Sequence, residues 1–228
     1  MSFYLILDIL ILLGPLLLTC HPKFSYFRRH LMSWAAATLV VGGAFIVWDI
    51  LVTGRGDWGF NPAYVSTIYF LGLPLEEVLF FVVVPFSCLF IYESLRHFSV
   101  DFPVPFSRQV ILGAAGLFFL ASLSLLSRDY SALVFGATGL FLVYAAFRLR
   151  TLFSSLFYWL YLAASFMFFL VFNYFLTSLP VVIYKPSAII GWRILSIPAE
   201  DFVYNFLLLT LYLVVYLAVD QKQGKIRP

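Results

Sequence analysis

Charged side chains are scarce in this sequence. Only 11% of its 228 residues are Asp, Glu, Lys or Arg, whereas 63% are hydrophobic. A water-soluble domain of this length needs far more polar surface to cover its core. The formal net charge of +3 is also too small and too scattered for a nucleic-acid-binding surface, so no nucleic-acid partner is expected. The composition predicts an integral membrane protein.

Cysteine and histidine are also rare. Cys20 and Cys88 both fall in apolar stretches, where we expect small buried side chains rather than a disulfide. The three histidines, His21, His30 and His97, have no paired-His or Cys ligand spacing around them. No flavin motif is present either. The sequence therefore predicts neither a metal site nor a bound cofactor.

Long apolar runs make up most of the chain. Seven of them can cross about 30 Å of hydrocarbon. They lie near residues 2–20, 31–53, 72–95, 108–127, 130–148, 153–177 and 196–219. The first run lacks a basic leader and a small-residue cleavage site, so we expect it to be a retained helix. The expected fold class is an all-α membrane protein with about seven transmembrane helices.

Basic residues alternate between the segments that connect these runs. With the N-terminus outside, the inner side holds Lys23, Arg28, Arg29, Arg96, Arg108, Arg148, Arg150, Lys222, Lys225 and Arg227. The outer side then holds Arg55, Arg128, Lys185 and Arg193. Cationic loops resist translocation, so this asymmetry predicts an outside N-terminus and a cytoplasmic C-terminus in the cell membrane.

The chain also resembles itself at a displacement of 124 residues. Pro74-Leu75-Glu76-Glu77 (acidic motif 1) recurs as Pro198-Ala199-Glu200-Asp201 (acidic motif 2). The same displacement places Asp49 on Asn173, Thr53 on Thr177, Phe60-Asn61-Pro62 on Tyr184-Lys185-Pro186, and Tyr92 on Tyr216. We expect a three-helix repeat over 1–95, a linker and linking helix over 96–128, and a second repeat with a cytoplasmic tail over 129–228. The odd linking helix would give both repeats the same orientation.

Ionisable residues within the apolar runs are functional candidates, because burying them in a bilayer is costly. They are Asp8, Asp49, Glu76, Glu77, Glu200 and Asp201. Pro74 and Pro198 suit a helix start, where acids also meet the positive end of the helix dipole, so a purely structural role is the alternative. Recurrence at equal depth favours function. Asp8 has the apolar Ala132 as its counterpart, so we expect it to form a local hydrogen bond.

The two acids of each motif are expected to differ in role. Successive helical residues point about 100° apart, so one acid would face the site and the other would support it. Short loops would bring Asp49 to Glu76 and Asn173 to Glu200. A carboxyl group in apolar surroundings beside a second carboxyl resists ionisation, which leaves a proton available for general acid catalysis.

Aromatic residues make up 20% of the chain. Most are expected in ordinary packing. Rings within about a turn of the acidic or amide positions could instead present their negative faces to a carbocation, an attraction of about 2 kcal/mol each when desolvated. The candidates for such substrate contacts are Phe45, Trp48, Phe80, Phe172 and Tyr204.

Two Pro-x-Glu-acid motifs that open equivalent membrane helices resemble the integral-membrane lycopene cyclases, whose relatives occur as heterodimeric small subunits or fused domains. The resemblance covers nearly the whole chain. It implies a cofactor-independent, redox-neutral β-cyclase that converts lycopene to γ-carotene and then β-carotene. An acid would protonate each linear end, and the ring would close through a carbocation. Glu76 and Glu200 would be the principal acid/base residues, with Glu77 and Asp201 as partners.

Other functions remain open from the sequence. A Glu-Glu intramembrane protease would need Glu-Glu-x-x-x-Arg and later histidines, whereas Phe81 stands at the Arg position. A prenyltransferase would need aspartate-rich Mg²⁺ motifs, which are missing. A proton-coupled transporter or lipid-binding helix bundle would use the acids as a relay. ε rings, a C50 carotenoid substrate, one or two sites, which carboxylate is the acid, and homo-oligomerisation are not decided.

Overall fold

The computed structural model describes residues 1–224, so Lys225 and Arg227 of the predicted cytoplasmic tail lie outside the described residues. Helices account for most of the described chain. They are α1 Phe3–Cys20, α2 Leu31–Ala37, α3 Gly43–Arg55, α4 Leu75–Phe98, α5 Arg108–Ser124, α6 Asp129–Arg148, α7 Arg150–Phe153, α8 Leu156–Ser178 and α9 Ala199–Lys222. The short strands are β1 Trp58–Phe60, β2 Tyr69–Phe70, β3 Leu73–Pro74, β4 Val182–Tyr184, β5 Arg193–Ile194 and β6 Ile197–Pro198.

Within residues 1–224, six helical segments are long and apolar enough to cross a membrane. A 3-10 helix, Pro22–His30, leads into α2, and a π-helix, Thr38–Gly42, joins α2 to α3. The spans are Phe3–Cys20, Pro22–Arg55, Leu75–Phe98, Asp129–Arg148, Leu156–Ser178 and Ala199–Lys222. The predicted all-α membrane fold is confirmed. Of the seven predicted helices, α5 is the exception in length, because it is an apolar helix of only 17 residues.

A tight hairpin precedes each of the helices that carry an acidic motif. Strands β2 and β3 pair antiparallel, and β5 and β6 do the same. Leu71 and Leu195 have φ angles of 48° and 59°, the left-handed region that non-glycine residues rarely adopt. The amide of Leu75 donates to Ile68 O at 2.9 Å, and the amide of Ala199 donates to Trp192 O at 2.9 Å. Each hairpin therefore runs directly into the first turn of its helix.

The contacts divide the chain into two compact units. The first unit comprises Met1–Gly54, Phe60–Ser99 and the described residues from Leu208 onward. In it, α1 packs on α4, and the 3-10 helix packs on both. The second unit comprises Arg55–Gly59 and Val100–Leu207. There α5 packs on α6, and α8 packs beside β6.

Buried charges in the first unit tie the 3-10 helix to α4 and α9. His30 Nδ1 lies 2.7 Å from Asp220 Oδ2, and Arg96 donates to Glu93 Oε1 at 2.6 Å. Tyr216 also donates to Glu93 Oε1, at 2.8 Å. One ligand atom each of His30, Glu93 and Asp220 lie within 4.8 Å of one another, which is close enough to hold a metal ion. Sequence spacing missed these neighbours of His30 because they are distant along the chain.

A close approach of α9 depends on Gly42, the last residue of the π-helix. Tyr212 of α9 donates its phenol proton to the backbone carbonyl of Phe81 in α4. That phenol oxygen lies closer than van der Waals contact to the position that a Cβ atom on residue 42 would take. Both Tyr212 and Phe81 are buried. A side chain at position 42 would therefore displace the tyrosine from its hydrogen bond.

Gly42→Ala is expected to destabilise the protein. The added methyl group overlaps the Tyr212 hydroxyl, so a buried hydrogen bond is lost or the core is strained, which costs about 1–3 kcal/mol. Thermal unfolding in detergent measures the change. Gly43→Ala is the matched control, because nothing lies within 4 Å of its Cβ position and its backbone is helical. It should keep or slightly raise the midpoint. Equal midpoints for the two variants would contradict the packing argument.

Candidate active site

Both acidic motifs stand at the same point of the local structure. Pro74 ends β3 with extended backbone and precedes α4, and Pro198 ends β6 and precedes α9. The acids that follow fall in the first helical turn, where backbone N–H groups lack intrahelical partners. All four are buried: Glu76, Glu77, Glu200 and Asp201. Each helix therefore begins with two carboxyl groups removed from solvent.

The first acid of motif 1 fastens the preceding loop to α4. Glu76 Oε1 accepts a hydrogen bond from the Ser66 amide at 2.7 Å, and Oε2 accepts one from the Ser66 hydroxyl at 2.9 Å. The hydroxyl of Ser2 also donates to Oε1. Three donors on one carboxylate satisfy most of its acceptor capacity with charge-assisted bonds. Glu76 therefore holds the chain start and the loop before β2 against the helix.

The first acid of motif 2 has the same kind of surroundings. Glu200 Oε1 accepts from the amide of Ile190 at 2.6 Å and from the hydroxyl of Ser131 at 2.5 Å. Ile190 follows Ser66 by 124 residues, the displacement that also separates the two motifs. In both cases a loop amide ten residues upstream binds the first acid. The amide of Ser66 on Glu76 and the amide of Ile190 on Glu200 are thus equivalent contacts, although the two loop side chains differ.

The second acid of motif 1 has a different set of partners. Glu77 Oε2 accepts a hydrogen bond from Tyr4 OH at 2.8 Å. The Glu77 carboxyl also forms a side-chain hydrogen bond with Asp49, which is 1% exposed. An ionised carboxylate can only accept, so two hydrogen-bonded carboxyl groups must hold at least one proton between them. The sequence predicted Asp49 beside Glu76, whereas the structure brings it to the adjacent acid, Glu77.

The second acid of motif 2 lies between two phenols. Asp201 Oδ1 accepts from Tyr130 OH at 3.1 Å, and Oδ2 accepts from Tyr184 OH at 2.7 Å. Trp58 packs edge-on against Tyr130 at a centroid distance of 4.8 Å, and its ring lies 6.1 Å from that of Tyr184. The indole of Trp58, in β1, therefore contacts both phenols. Two neutral donors on one carboxyl suit it to the role of an anionic acceptor.

Asp8 does not form the local hydrogen bond expected from the sequence, so that prediction is wrong. Its side chain is 2% exposed. Within residues 1–224, neither of its carboxyl oxygens has a hydrogen-bond partner. Asp8 follows Tyr4 by one helical turn on α1 and interacts electrostatically with Glu77 and Glu76. The structure thus places it near acidic motif 1.

Three of the five aromatic candidates form one group in the first unit. Phe45 stacks on Trp48 at 5.9 Å with an interplanar angle of 8°, one helical turn before Asp49. Phe81 joins Phe45 to Phe80, at centroid distances of 6.3 and 5.3 Å. These rings lie on α3 and α4, the helices that carry Asp49 and acidic motif 1.

The remaining candidates belong to the second unit. Phe172, Asn173 and Tyr204 are all half-buried. Tyr204 interacts electrostatically with Tyr130, one of the two phenols on Asp201. The backbone carbonyl of Asn173 accepts a hydrogen bond from Thr177 Oγ1 at 2.8 Å. Tyr204 is thus the candidate that the structure connects to acidic motif 2.

Comparison with known protein families gives one result that covers most of the chain. The lycopene cyclase family model matches residues 1–95 and 127–219. The chain belongs to the lycopene cyclase family. No curated protein and no solved structure matches it. Membership in a family of lycopene cyclases supports an enzymatic role on a carotenoid within a membrane, and the apolar helices agree with that setting.

Several contacts of this family member escaped sequence reasoning. Tyr4 and Tyr130 are 126 residues apart, so an ungapped comparison at 124 residues does not pair them. Their amides nevertheless bind equivalent carbonyls, those of Tyr64 and Ala188, at 3.1 and 3.2 Å. A two-residue offset between the helix starts would have revealed the pair. The loop amides of Ser66 and Ile190 carry no side-chain signal in the sequence.

Glu76→Ala is expected to loosen residues 61–74 of this lycopene cyclase family member. Ser66 loses the acceptor for its amide and its hydroxyl, which costs about 1–3 kcal/mol locally. Hydrogen exchange of the 61–74 peptide, followed by mass spectrometry in detergent, should speed up about tenfold or more. Glu77→Ala is the neighbouring control and leaves those bonds in place. If both variants exchange alike, Glu76 is not the anchor of the loop.

Proposed function

We propose that this protein is a cofactor-independent lycopene β-cyclase. It would close the two linear ψ-ends of lycopene into β-ionone rings, first to γ-carotene and then to β-carotene, without net oxidation or reduction. The observation that carries this proposal is the pair of buried carboxyl groups at the start of each motif helix, one of which is hydrogen-bonded to the buried Asp49. A hydrocarbon substrate would reach such groups from the lipid phase.

The proposed reaction needs one proton to be given and one to be taken for each ring. A carboxyl O–H bond breaks as its proton forms a C–H bond at the terminal alkene, which leaves a tertiary carbocation. The next alkene attacks the cation and forms the ring C–C bond. Loss of a ring proton to a carboxylate then gives the ring double bond. Protons and electrons balance, and no redox partner is required.

We propose that the second acid of each motif exchanges protons with the substrate. Glu77 is hydrogen-bonded to Asp49, a second buried carboxyl group that can supply a proton, and is therefore suited to donate. Asp201 accepts from two phenols and is suited to receive a proton. The first acids, Glu76 and Glu200, belong to the catalytic group as residues that hold its loops. The contacts thus favour a different division of roles from the one that the sequence alone suggests.

Aromatic rings are proposed to stabilise the carbocation. Phe45, Trp48 and Phe80 share α3 and α4 with Asp49 and Glu77. A ring face attracts a desolvated cation by about 2 kcal/mol and offers no nucleophile that would trap it. Phe172 and Tyr204 are proposed for the same purpose near the second motif. An apolar lining would also exclude water, which would otherwise add to the cation.

We further propose that the two motifs belong to two three-helix repeats, over 1–95 and 129–228, with 96–128 between them. Equivalent loop amides on Glu76 and Glu200, the paired hairpins and the two segments matched by the family model support this division. The excess of basic residues in alternate loops supports an outside N-terminus and a cytoplasmic C-terminus.

Expression in a lycopene-accumulating bacterium tests the proposed function. Chromatography of extracted pigments should show γ- and β-carotene with the wild type. Glu77→Gln and Asp201→Asn should reduce ring formation by about 100-fold or more, because a general acid or base contributes that much. Glu76→Gln and Glu200→Gln should reduce it less, by about tenfold, because an amide oxygen can still accept the loop hydrogen bond.

The control is Ser165→Ala, which alters a buried residue of α8 outside both motifs and should leave the pigments unchanged. Unchanged lycopene beside wild-type protein that is folded in the membrane would contradict the cyclase proposal. Rings of the ε type would retain the cyclisation but contradict the β product. If both Glu77→Gln and Asp201→Asn formed as much cyclised pigment as the wild type, these acids would have no role in the reaction.

A further inference from the structure

Asp8 is a buried carboxyl group that lies outside both acidic motifs, and the proposed reaction gives it no role. It lies on α1 with 2% of its surface exposed. Over the described part of the chain, both of its oxygens are buried and neither has a hydrogen-bond partner. It interacts electrostatically with Glu77 and Glu76. This is an unpaired polar group beside the proposed proton-donating acid.

Structural packing alone does not account for this carboxyl group. Nearly all buried polar atoms in native proteins find a partner, because an unpaired one is costly to bury. A polar side chain on α1 can find a hydrogen-bond partner within the helix, since the Thr19 hydroxyl donates to the carbonyl of Pro15 at 2.8 Å. Asp8 makes no comparable bond within residues 1–224. Because neither oxygen accepts a hydrogen bond from the described chain, its favourable form is the neutral acid, which holds a proton.

Tyr4 connects Asp8 to Glu77. Residues four apart on a helix lie on the same face, so Tyr4 and Asp8 are neighbours on α1. The Tyr4 hydroxyl donates to Glu77 Oε2 at 2.8 Å, and a phenol can accept one proton while it donates another. Tyr4 interacts electrostatically with Glu77, Asp8 and Asp49. Tyr4 therefore hydrogen-bonds to one carboxyl group and interacts electrostatically with two more.

We propose that Asp8 is a proton-relay residue that re-protonates Glu77 after each cyclisation, which rests on the proposed cyclase function. As Glu77 loses its proton to the alkene, the Tyr4 O–H bond breaks and its proton passes to Glu77. Asp8, which at rest has no hydrogen-bond partner in the described chain, then turns to the phenolate, and its O–H bond breaks as it restores the phenol. The carboxylate that accepts the proton of the closed ring releases it to solvent, and one proton from solvent returns to Asp8. The cycle thus neither gains nor loses a proton.

The test uses the full chain in phosphatidylcholine vesicles that contain lycopene. Asp8→Asn keeps the size of the side chain but cannot relay the proton. We expect kcat to fall about tenfold or more with KM unchanged, and the solvent deuterium isotope effect on kcat to rise, because proton return becomes rate-limiting. Asp8→Glu should restore part of kcat. The unfolding midpoint of Asp8→Asn should stay equal or rise, since the lost carboxyl has no partner.

Two further variants keep the result interpretable. Ser165→Ala also removes a buried oxygen that lacks a partner in the described chain, and it should change neither kcat nor the isotope effect. Asp8→Leu restores an apolar helix face, so it should fold even if the asparagine variant does not, and it should also be slow. Wild-type kcat in folded Asp8→Leu or Asp8→Asn would overturn the relay. If the wild type forms no rings, the cyclase function itself fails.

Discussion

A carboxyl group inside an apolar helix bundle needs hydrogen-bond donors or a proton, and the described structure is arranged around this need. Glu76 and Glu200 receive loop amides and hydroxyls. Asp201 receives two phenols, whereas Glu77 receives one phenol and shares a hydrogen bond with a second carboxyl. These partners distinguish two kinds of acid. Glu76 and Glu200 hold loops in place, whereas Glu77 and Asp201 are the acids proposed to exchange a proton.

The hairpins before α4 and α9 fix the position of the backbone donors that these carboxyl groups need. A backbone amide is a donor of fixed position only when the loop that carries it is itself fixed. Each hairpin pairs its strands, turns through a residue in the left-handed region and passes directly into the motif helix. The loop amide therefore returns to the acid at the start of that helix. Strained residues such as Leu71 and Leu195 are consistent with a geometry that the site requires.

Hydrophobicity and spacing predicted the membrane fold and the position of both acidic motifs. Apolar runs are long enough to locate helices, and six described segments meet the length that a bilayer requires. The partners of the acids could not be predicted in the same way. Asp49 contacts Glu77 rather than Glu76, because the two acids face different sides of α4. The loop donors of the first acids are largely backbone groups, and Tyr4 and Tyr130 are offset by two residues from the main repeat.

Long-range contacts explain the other differences between sequence and structure. The carboxylates around His30 come from α4 and α9, so no local spacing could reveal them. The hydrogen-bond partners of Asp8 depend on its neighbours in the folded chain, which a comparison with Ala132 cannot show. Helix periodicity identifies which faces are apolar, but the identity of the residues that meet across those faces is decided by the packing of distant segments.

Proton-initiated cyclisation requires a protein carboxyl group to transfer its proton to a carbon atom of the carotenoid. A single turnover in D₂O, with the protein pre-equilibrated and in excess over lycopene in vesicles, measures this transfer. Mass spectrometry should find one deuterium in the product for each ring formed. Rings without deuterium, or a product that has lost two hydrogens, would contradict proton-initiated cyclisation.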